Sequence, residues 1–459
     1  SFGVPGDMDD SLLEIYFFLK FIPSPYTFFK QIKKLKPGHF LLINGSEIKE
    51  RKYWDLPEID EKNMLSDTKE INNNFEFLLK DSVNIRMRSD VPFGALLSGG
   101  LDSASVVALM SEISKFPVET FTIGYDDASF DETDLAKDAA NKFNTNHHSY
   151  KVEAESFEDS LRKILFHYDE PFGDASAIPT GIVSRYARKF VKMVLTGDGG
   201  DEVLCGYPSF QGVKLSSYYK KAPSLLRKSL PGTLNIFSKA VRGNARYKIN
   251  RYERLFRSTN LDFITSMIER MRTNYMRSIK SFFPQNSKIY SIEDYMNDFM
   301  KNCSYKDDFY KLMYISFKLF LPDDYLVKVD RMSMAYSLEA RVPFIDHRLV
   351  EYMVGVDKNV KMKKFERKSV LRETVGKKLP ASLLTAVKKG FSVPIVEWFK
   401  ADTMQPNLEA LYSEDIGLNK DVIKNFVKEN TEGKKDNSNI IWMLMLLRET
   451  RRKNEYELA

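Results

Sequence analysis

Ser98-Gly99-Gly100-Leu101-Asp102-Ser103 stands between an apolar run, 91–97, and a helix-like run, 104–113. Small residues at the end of a buried strand let the backbone approach an anion closely, and a helix behind them aims free N–H groups and its positive dipole end at that anion. Such a loop takes phosphate with little help from side chains. Ser98 and Ser103 add hydroxyls. Asp102 is an odd neighbour for phosphate unless a divalent cation bridges its carboxylate to phosphate oxygens, so the loop predicts Mg-ATP. A Gly-rich strand-to-helix turn without ligand has the same composition and stands beside that reading. The chain has no Gly-x-x-x-x-Gly-Lys-Ser/Thr, which excludes a Walker-type loop.

A second cluster, Thr196-Gly197-Asp198-Gly199-Gly200-Asp201-Glu202, packs three acids among three glycines after another apolar strand. Glu202 stands where a dinucleotide fingerprint needs its last glycine, so that motif is excluded. Magnesium takes only one or two carboxylates beside phosphate and water, and Asp201 with Asp102 would supply them. Asp198 is then left to orient a substrate or move a proton. An N-cap and turn cluster is the alternative for this segment. A third segment runs from Asp169-Glu170 through Asp174 and Ser176 into a helix at Pro179-Thr180. A fourth, Asp330-Arg331 through Glu339-Ala340-Arg341 to Asp346, mixes charge with apolar residues in the manner of internal ion pairs. A fifth, Lys388-Lys389-Gly390-Phe391, sets a cation beside a flexible glycine, a pattern that an exposed loop also displays.

These segments need a scaffold. Strand and helix patterns alternate from residue 91: strands at 91–97, 118–124, 148–152 and 191–196, helices at 102–114, 131–143, 156–167 and 179–189. Alternation of this kind predicts an α/β fold with a parallel sheet covered by helices, and both glycine clusters fall at strand carboxyl ends, where such sheets bind ligands. Upstream lie a short helix near 12–21, a hairpin of 40–43 with 47–51, a linker to about residue 69, and a helix over 71–86. Beyond Tyr207 strand signals fade, and helical spacing interrupted by prolines predicts a mainly helical second half.

The 459 residues, 43% of them hydrophobic, allow two or three domains with a large core. The excess of 69 Lys and Arg over 63 Asp and Glu gives +6, read as mild and spread over most of the chain with no dense basic patch. Two cysteines, Cys205 and Cys303, exclude a disulfide framework or a cysteine-rich zinc site and point to a reducing compartment, the cytoplasm by default. No apolar run is long enough to cross a membrane, and no membrane partner is expected. Ser1 in place of Met indicates a piece of something longer.

Taken together, the five segments resemble the synthetase domain of glutamine-dependent asparagine synthetases, from about Leu13 to Leu447. The resemblance implies a Rossmann-like sheet of the adenine nucleotide alpha-hydrolase type, an ATP-binding core over 68–207 within a synthetase domain of 58–459, and a helical substrate-side region over 208–459. It implies that Leu97, Ser98, Gly99, Gly100, Leu101, Asp102, Ser103, Ile123, Thr196 and Gly197 bind ATP, and that Asp102 and Asp201 hold Mg²⁺. Asp198 and Lys388 become the catalytic pair. Asp198 occupies a position that is commonly Glu in the family. Asp174, Ser176, Thr180, Arg185, Asp330, Arg331, Glu339 and Arg341 become substrate-binding candidates.

The reaction implied is attack of the L-aspartate side chain on ATP to give β-aspartyl-AMP and pyrophosphate, followed by displacement of AMP by ammonia. Residues 1–57 resemble only the last part of a glutaminase domain, so Ser1 is no nucleophile. Ammonia is expected free, or from a missing segment or partner; a homodimer is admitted. The same chemistry on a sugar uronate or an acidic peptide side chain is the nearest alternative. A tRNA-modifying enzyme is disfavoured by the absence of Cys-x-x-Cys pairs, and no nucleic-acid partner is expected. A non-catalytic binding protein would have no use for Asp102, Asp198, Asp201 and Lys388 together.

Overall fold

A computed structural model of the chain describes residues 6–125, 131–152, 157–272, 275–386, 395–399 and 404–458. Helix α1 (Leu13–Leu19) is buried along its whole length. It is followed by an antiparallel hairpin, β1 (His39–Asn44) with β2 (Glu47–Lys52), closed by Gly45-Ser46. Helix α2 (Thr68–Arg86) starts at Asp67, whose side chain accepts from the amides of Lys69 and Glu70. Ile71, Phe75, Leu79 and Val83 recur every four residues and are buried, which glues α2 to the core.

The expected alternation follows: β3 (Phe93–Leu96), α3 (Leu101–Ile113), β4 (Glu119–Gly124), α4 (Thr133–Lys142), β5 (Asn146–Lys151), α5 (Phe157–Tyr168), α6 (Ala177–Ala187), β6 (Met193–Leu195) and α7 (Gly200–Val203). With β7 (Glu339–Arg341) they build a five-stranded sheet ordered β5-β4-β3-β6-β7. All pairs are parallel, with Leu96 opposite Phe121, Ala95 opposite Leu195, and Leu195 opposite Arg341. The chain leaves β3 toward β4 and returns on its other side as β6. A switch point therefore opens at the carboxyl ends of β3 and β6.

Alternation along the strands divides the core. Val194, Phe121 and Ile123 join one cluster with α1, α6 and the fully apolar stretch Ile440–Leu447. Met193, Leu195, Ala95 and Leu97 join a second with α2 and α3. Both sheet faces are thus buried, as a parallel sheet demands.

The second half is mainly helical: α8 (Pro208–Tyr219), α9 (Ser224–Ala240), α10 (Gly243–Ser258), α11 (Phe263–Met271), α12 (Ile292–Met300) and α13 (Asp308–Ile315). A π-helical stretch, Ser316–Tyr325, then runs into α14 (Leu326–Met334). Pro322 lies inside that stretch and cannot donate to the helical ladder, and wide turns of this kind recur at functional sites. Strand β7 is the one sheet strand that the mainly helical half contributes among the described residues. Three residues with two charges carry no strand signal of their own, and only pairing with β6 makes them one.

Candidate functional site

A cavity of about 680 Å³ opens at the switch point, and both glycine clusters line it. Leu97, Ser98, Gly99, Gly100, Leu101, Asp102, Ser103, Ile123, Thr196, Gly197, Asp198 and Asp201 all stand in its wall. Gly100 is the N-cap of α3 and has no side chain to occupy the first-turn amides, so these remain directed at the loop. Ser98 and Ser103 share a hydroxyl hydrogen bond of 2.9 Å, and the Ser98 amide donates to Ser103 Oγ at 3.2 Å. These bonds tie the two ends of the loop together.

Two glycines are dictated by this packing. A Cβ on Gly197 would fall 2.5 Å from the Ser103 amide nitrogen, so the second loop can lie on the first only without a side chain there. Gly199 adopts φ +83° to turn β6 into α7, a conformation that costs other residues.

Lys368 is one of two cavity lysines, with Lys328, that sequence reasoning missed. It is buried, takes the left-handed conformation at φ +58°, and sends Nζ between Asp102 and Asp201, 2.7 Å from Asp201 Oδ1. Non-glycine residues hold such backbone strain mainly where surrounding contacts over-determine them. Nothing in its own stretch, rich in Lys and Arg from 358 to 372, singles it out. Glu366, Arg367 and Arg372 line the same wall.

Among the described residues no group of three or more His, Cys, Asp or Glu is placed to hold a metal by itself. Asp102 and Asp201, facing one cation from two loops, nonetheless fit the donor set of Mg²⁺, which takes few carboxylates and completes its shell with phosphate and water. Lys368 would then have to leave its place.

The same cavity is lined by a second, half-buried polar group. The Ser176 hydroxyl donates to Asp174 Oδ2 at 2.7 Å, and Lys328 Nζ on α14 reaches Ser176 Oγ at 2.9 Å and Asp174 Oδ2 at 3.2 Å. Thr180 Oγ1 donates to the Ser176 carbonyl at 2.8 Å. Burial alone would raise the Asp174 pKa, but Lys328, Lys20 and the Ser176 bonds hold it well below the ordinary range. Burial disfavours the Lys328 charge, yet Asp174, Asp324 and Asp198 more than restore it. Asp324, buried and next to the Asp174 charge, is pushed well up. Asp174 and Lys328 thus support each other's charge, while burial and the Asp174 charge oppose ionisation of Asp324.

Glu202 lies at the cavity floor, where burial pushes its pKa up to about 7 against the hydrogen bond that it accepts from Tyr207. It is a buried acid poised near neutrality.

Five expected substrate contacts stand elsewhere: Arg185, Asp330, Arg331, Glu339 and Arg341 are not in the cavity wall. Arg331 donates to the His167 carbonyl at 2.6 Å and to Asp169 at 2.9 Å. Arg341 pairs with Glu339 at 2.7 Å and reaches the carbonyls of Arg86 and Arg88. Asp330 lies exposed on α14. Arg185 engages other groups near the end of α6. Lys388 and the Lys-x-Gly-Phe segment lie outside the described residues, as does Ser1. Ala386, the last described residue before Lys388, lines the cavity.

Residues 74–451 match the asparagine synthase family. The chain is 28% identical, over 96% of its length and 68% of the relative's, to asparagine synthetase [glutamine-hydrolyzing] 1 of Bacillus subtilis. It is 36% identical, over 74% of its length and 63% of the relative's, to putative asparagine synthetase [glutamine-hydrolyzing] 2 of Methanocaldococcus jannaschii. A match at 26% identity covers 89% of the chain and 66% of amidase chyE of Penicillium rubens. The chain thus spans about two thirds of the length of these relatives. With most of the chain matched and both glycine loops meeting at the switch point, the protein belongs to the asparagine synthase family, whose chemistry is ATP-dependent amidation.

Proposed function

We propose that this chain activates the side-chain carboxylate of L-aspartate by adenylation and transfers the acyl group to ammonia, giving L-asparagine. The carrying observation is one cavity lined by two chemically distinct groups, the glycine loops with Lys368 and the Asp174–Lys328 pair. A triphosphate suits the first group and a zwitterion the second: Lys328 would face the α-carboxylate and Asp174 the α-ammonium.

In the first step an aspartate carboxylate oxygen bonds to the α-phosphorus, and the bond from that phosphorus to the β-phosphate bridge breaks. Pyrophosphate leaves with the electron pair. The α3 amides and Lys368, released from Asp102 and Asp201, would meet its charge. Mg²⁺, when bound by the two aspartates, would neutralise part of the same charge. In the second step ammonia nitrogen bonds to the acyl carbon and AMP departs. Asp198 in the cavity wall is assigned the proton that ammonia must lose, and Lys388 the contact with pyrophosphate and adenylate.

A second reading keeps the chemistry and changes the carboxylate to a sugar uronate or peptide side chain. Amidase relatives favour it. The test is pyrophosphate release from Mg-ATP and ammonium chloride, with and without L-aspartate, with products identified by mass. Aspartate-dependent release with asparagine formed supports the first reading; ATP binding without such release supports the second.

A further inference from the structure

The positive charge of the chain is not spread evenly. Between residues 224 and 258, the span of α9 and α10, lie nine Lys and Arg and a single acid, Glu253, a local +8 against +6 for the whole chain. Everything outside this helical hairpin is net acidic. Around its turn, Lys239, Arg242 and Arg246 are exposed and form no ion pair among the described residues.

The same end displays apolar side chains. Ile236 is 70%, Phe237 63% and Tyr247 68% exposed, whereas large apolar residues elsewhere in the second half are mostly buried. Helix α9 packs chiefly on α10 and buries only Ser238. Its geometry is nevertheless held: Pro231 cannot donate to the Arg227 carbonyl, and the Tyr219 hydroxyl does so instead at 3.0 Å. The turn is tight, with Gly243 at φ +62°.

Cations without carboxylate partners call for an anionic partner, and exposed aliphatic and aromatic side chains between them call for an apolar phase behind the charge. A nucleic acid would satisfy the cations and leave Ile236 and Phe237 in water. An anionic lipid leaflet satisfies both, with apolar side chains below the headgroups and Lys and Arg at their level. We propose that the α9–α10 hairpin docks this protein peripherally on an anionic membrane surface. No helix among the described residues is long and apolar enough to span one, so the contact is interfacial.

Co-sedimentation of the full chain with vesicles of phosphatidylcholine alone, and of phosphatidylcholine with 30% phosphatidylglycerol, tests this. Binding is expected to the anionic vesicles only and to weaken with salt. It should fall about tenfold or more in either Ile236→Ser/Phe237→Ser or Arg242→Glu/Arg246→Glu, while pyrophosphate release in solution is unchanged. Absence of binding, or equal binding to both vesicle types, overturns the proposal. So does a vesicle-independent retention on single-stranded RNA that ignores the Phe237 change, which would make the hairpin a nucleic-acid surface. Sedimentation showing self-association lost in the same apolar variant, without vesicle binding, would assign the hairpin to a second copy instead.

Discussion

Lys368 Nζ lies 2.7 Å from Asp201 Oδ1 and also reaches Asp102, so one buried ammonium ties together two loops that arise from different strands. Two carboxylates brought this close would repel each other without a cation, and the lysine supplies one. The same side chain is then available for phosphate once a metal takes its place.

Lys368→Met should therefore separate two effects. Pyrophosphate release is expected to fall by about a hundredfold or more, the scale of losing one transition-state donor. Metal affinity in the absence of ATP should rise, because Mg²⁺ no longer competes with an ammonium. Titration of the variant with Mn²⁺, followed by electron paramagnetic resonance, reads the second effect. Unchanged metal affinity would mean that the lysine and the metal do not share a position.

Gly197→Ala tests the contact between the loops. The added carbon would sit 2.5 Å from the Ser103 nitrogen and 2.9 Å from the Asp102 carbonyl carbon, both backbone atoms that cannot rotate away. A loss of about 2 kcal/mol or more of stability is expected, in the range of strained backbone substitutions, together with loss of ATP binding. Thermal melts with and without Mg-ATP measure both. Normal ATP-induced stabilisation in this variant would detach the glycine from the nucleotide site.

The parallel sheet and the two loops were legible because their signals are local. Apolar runs of four to seven residues ending in glycine mark strand ends whatever packs on them. Asp174 and Ser176 came from the family resemblance, on a polar segment that leads into a helix. Lys328 and Lys368 were not found, since a lysine in a basic helical stretch looks the same whether it faces water or a buried carboxylate. Burial is decided by the fold, which brings α14 to the sheet from 130 or more residues beyond β6. Arg331 and Arg341 failed in the opposite direction. Their motif is ordered and charged, and its charges are spent on backbone carbonyls and on Asp169 and Glu339. The charge of α9 and α10 was hidden by averaging over the chain.

Glu202 makes stability depend on pH. Its ordinary value is 4.5 and the folded value about 7, so between these the unfolded chain has released a proton that the folded one keeps. Stability from this group is complete below about pH 4.5 and is lost as pH rises through 7, with a slope of at most about 1.4 kcal/mol per pH unit. Glu202→Gln retains an acceptor for the Tyr207 hydroxyl and has nothing to ionise. Its melting temperature should change less than that of the parent between pH 5 and 8. Parallel curves would place the titration elsewhere.

Asp174 and Lys328 carry the identity of the acceptor. If the pair reads an α-amino acid, Asp174→Asn removes the partner of the α-ammonium and should raise the aspartate KM about a hundredfold, the cost of leaving one buried charge unmatched. The ATP KM should stay within about twofold, since neither residue belongs to the glycine loops. Lys328→Met should act likewise through the α-carboxylate. A melt separates this from collapse of the site, since Asn at 174 keeps a side-chain oxygen that can accept from Ser176. A uronate has no ammonium for Asp174 to meet. With such an acceptor Asp174→Asn would leave the KM nearly unchanged while Lys328→Met would not, so the ratio of the two effects distinguishes an amino acid from a sugar acid at the same wall.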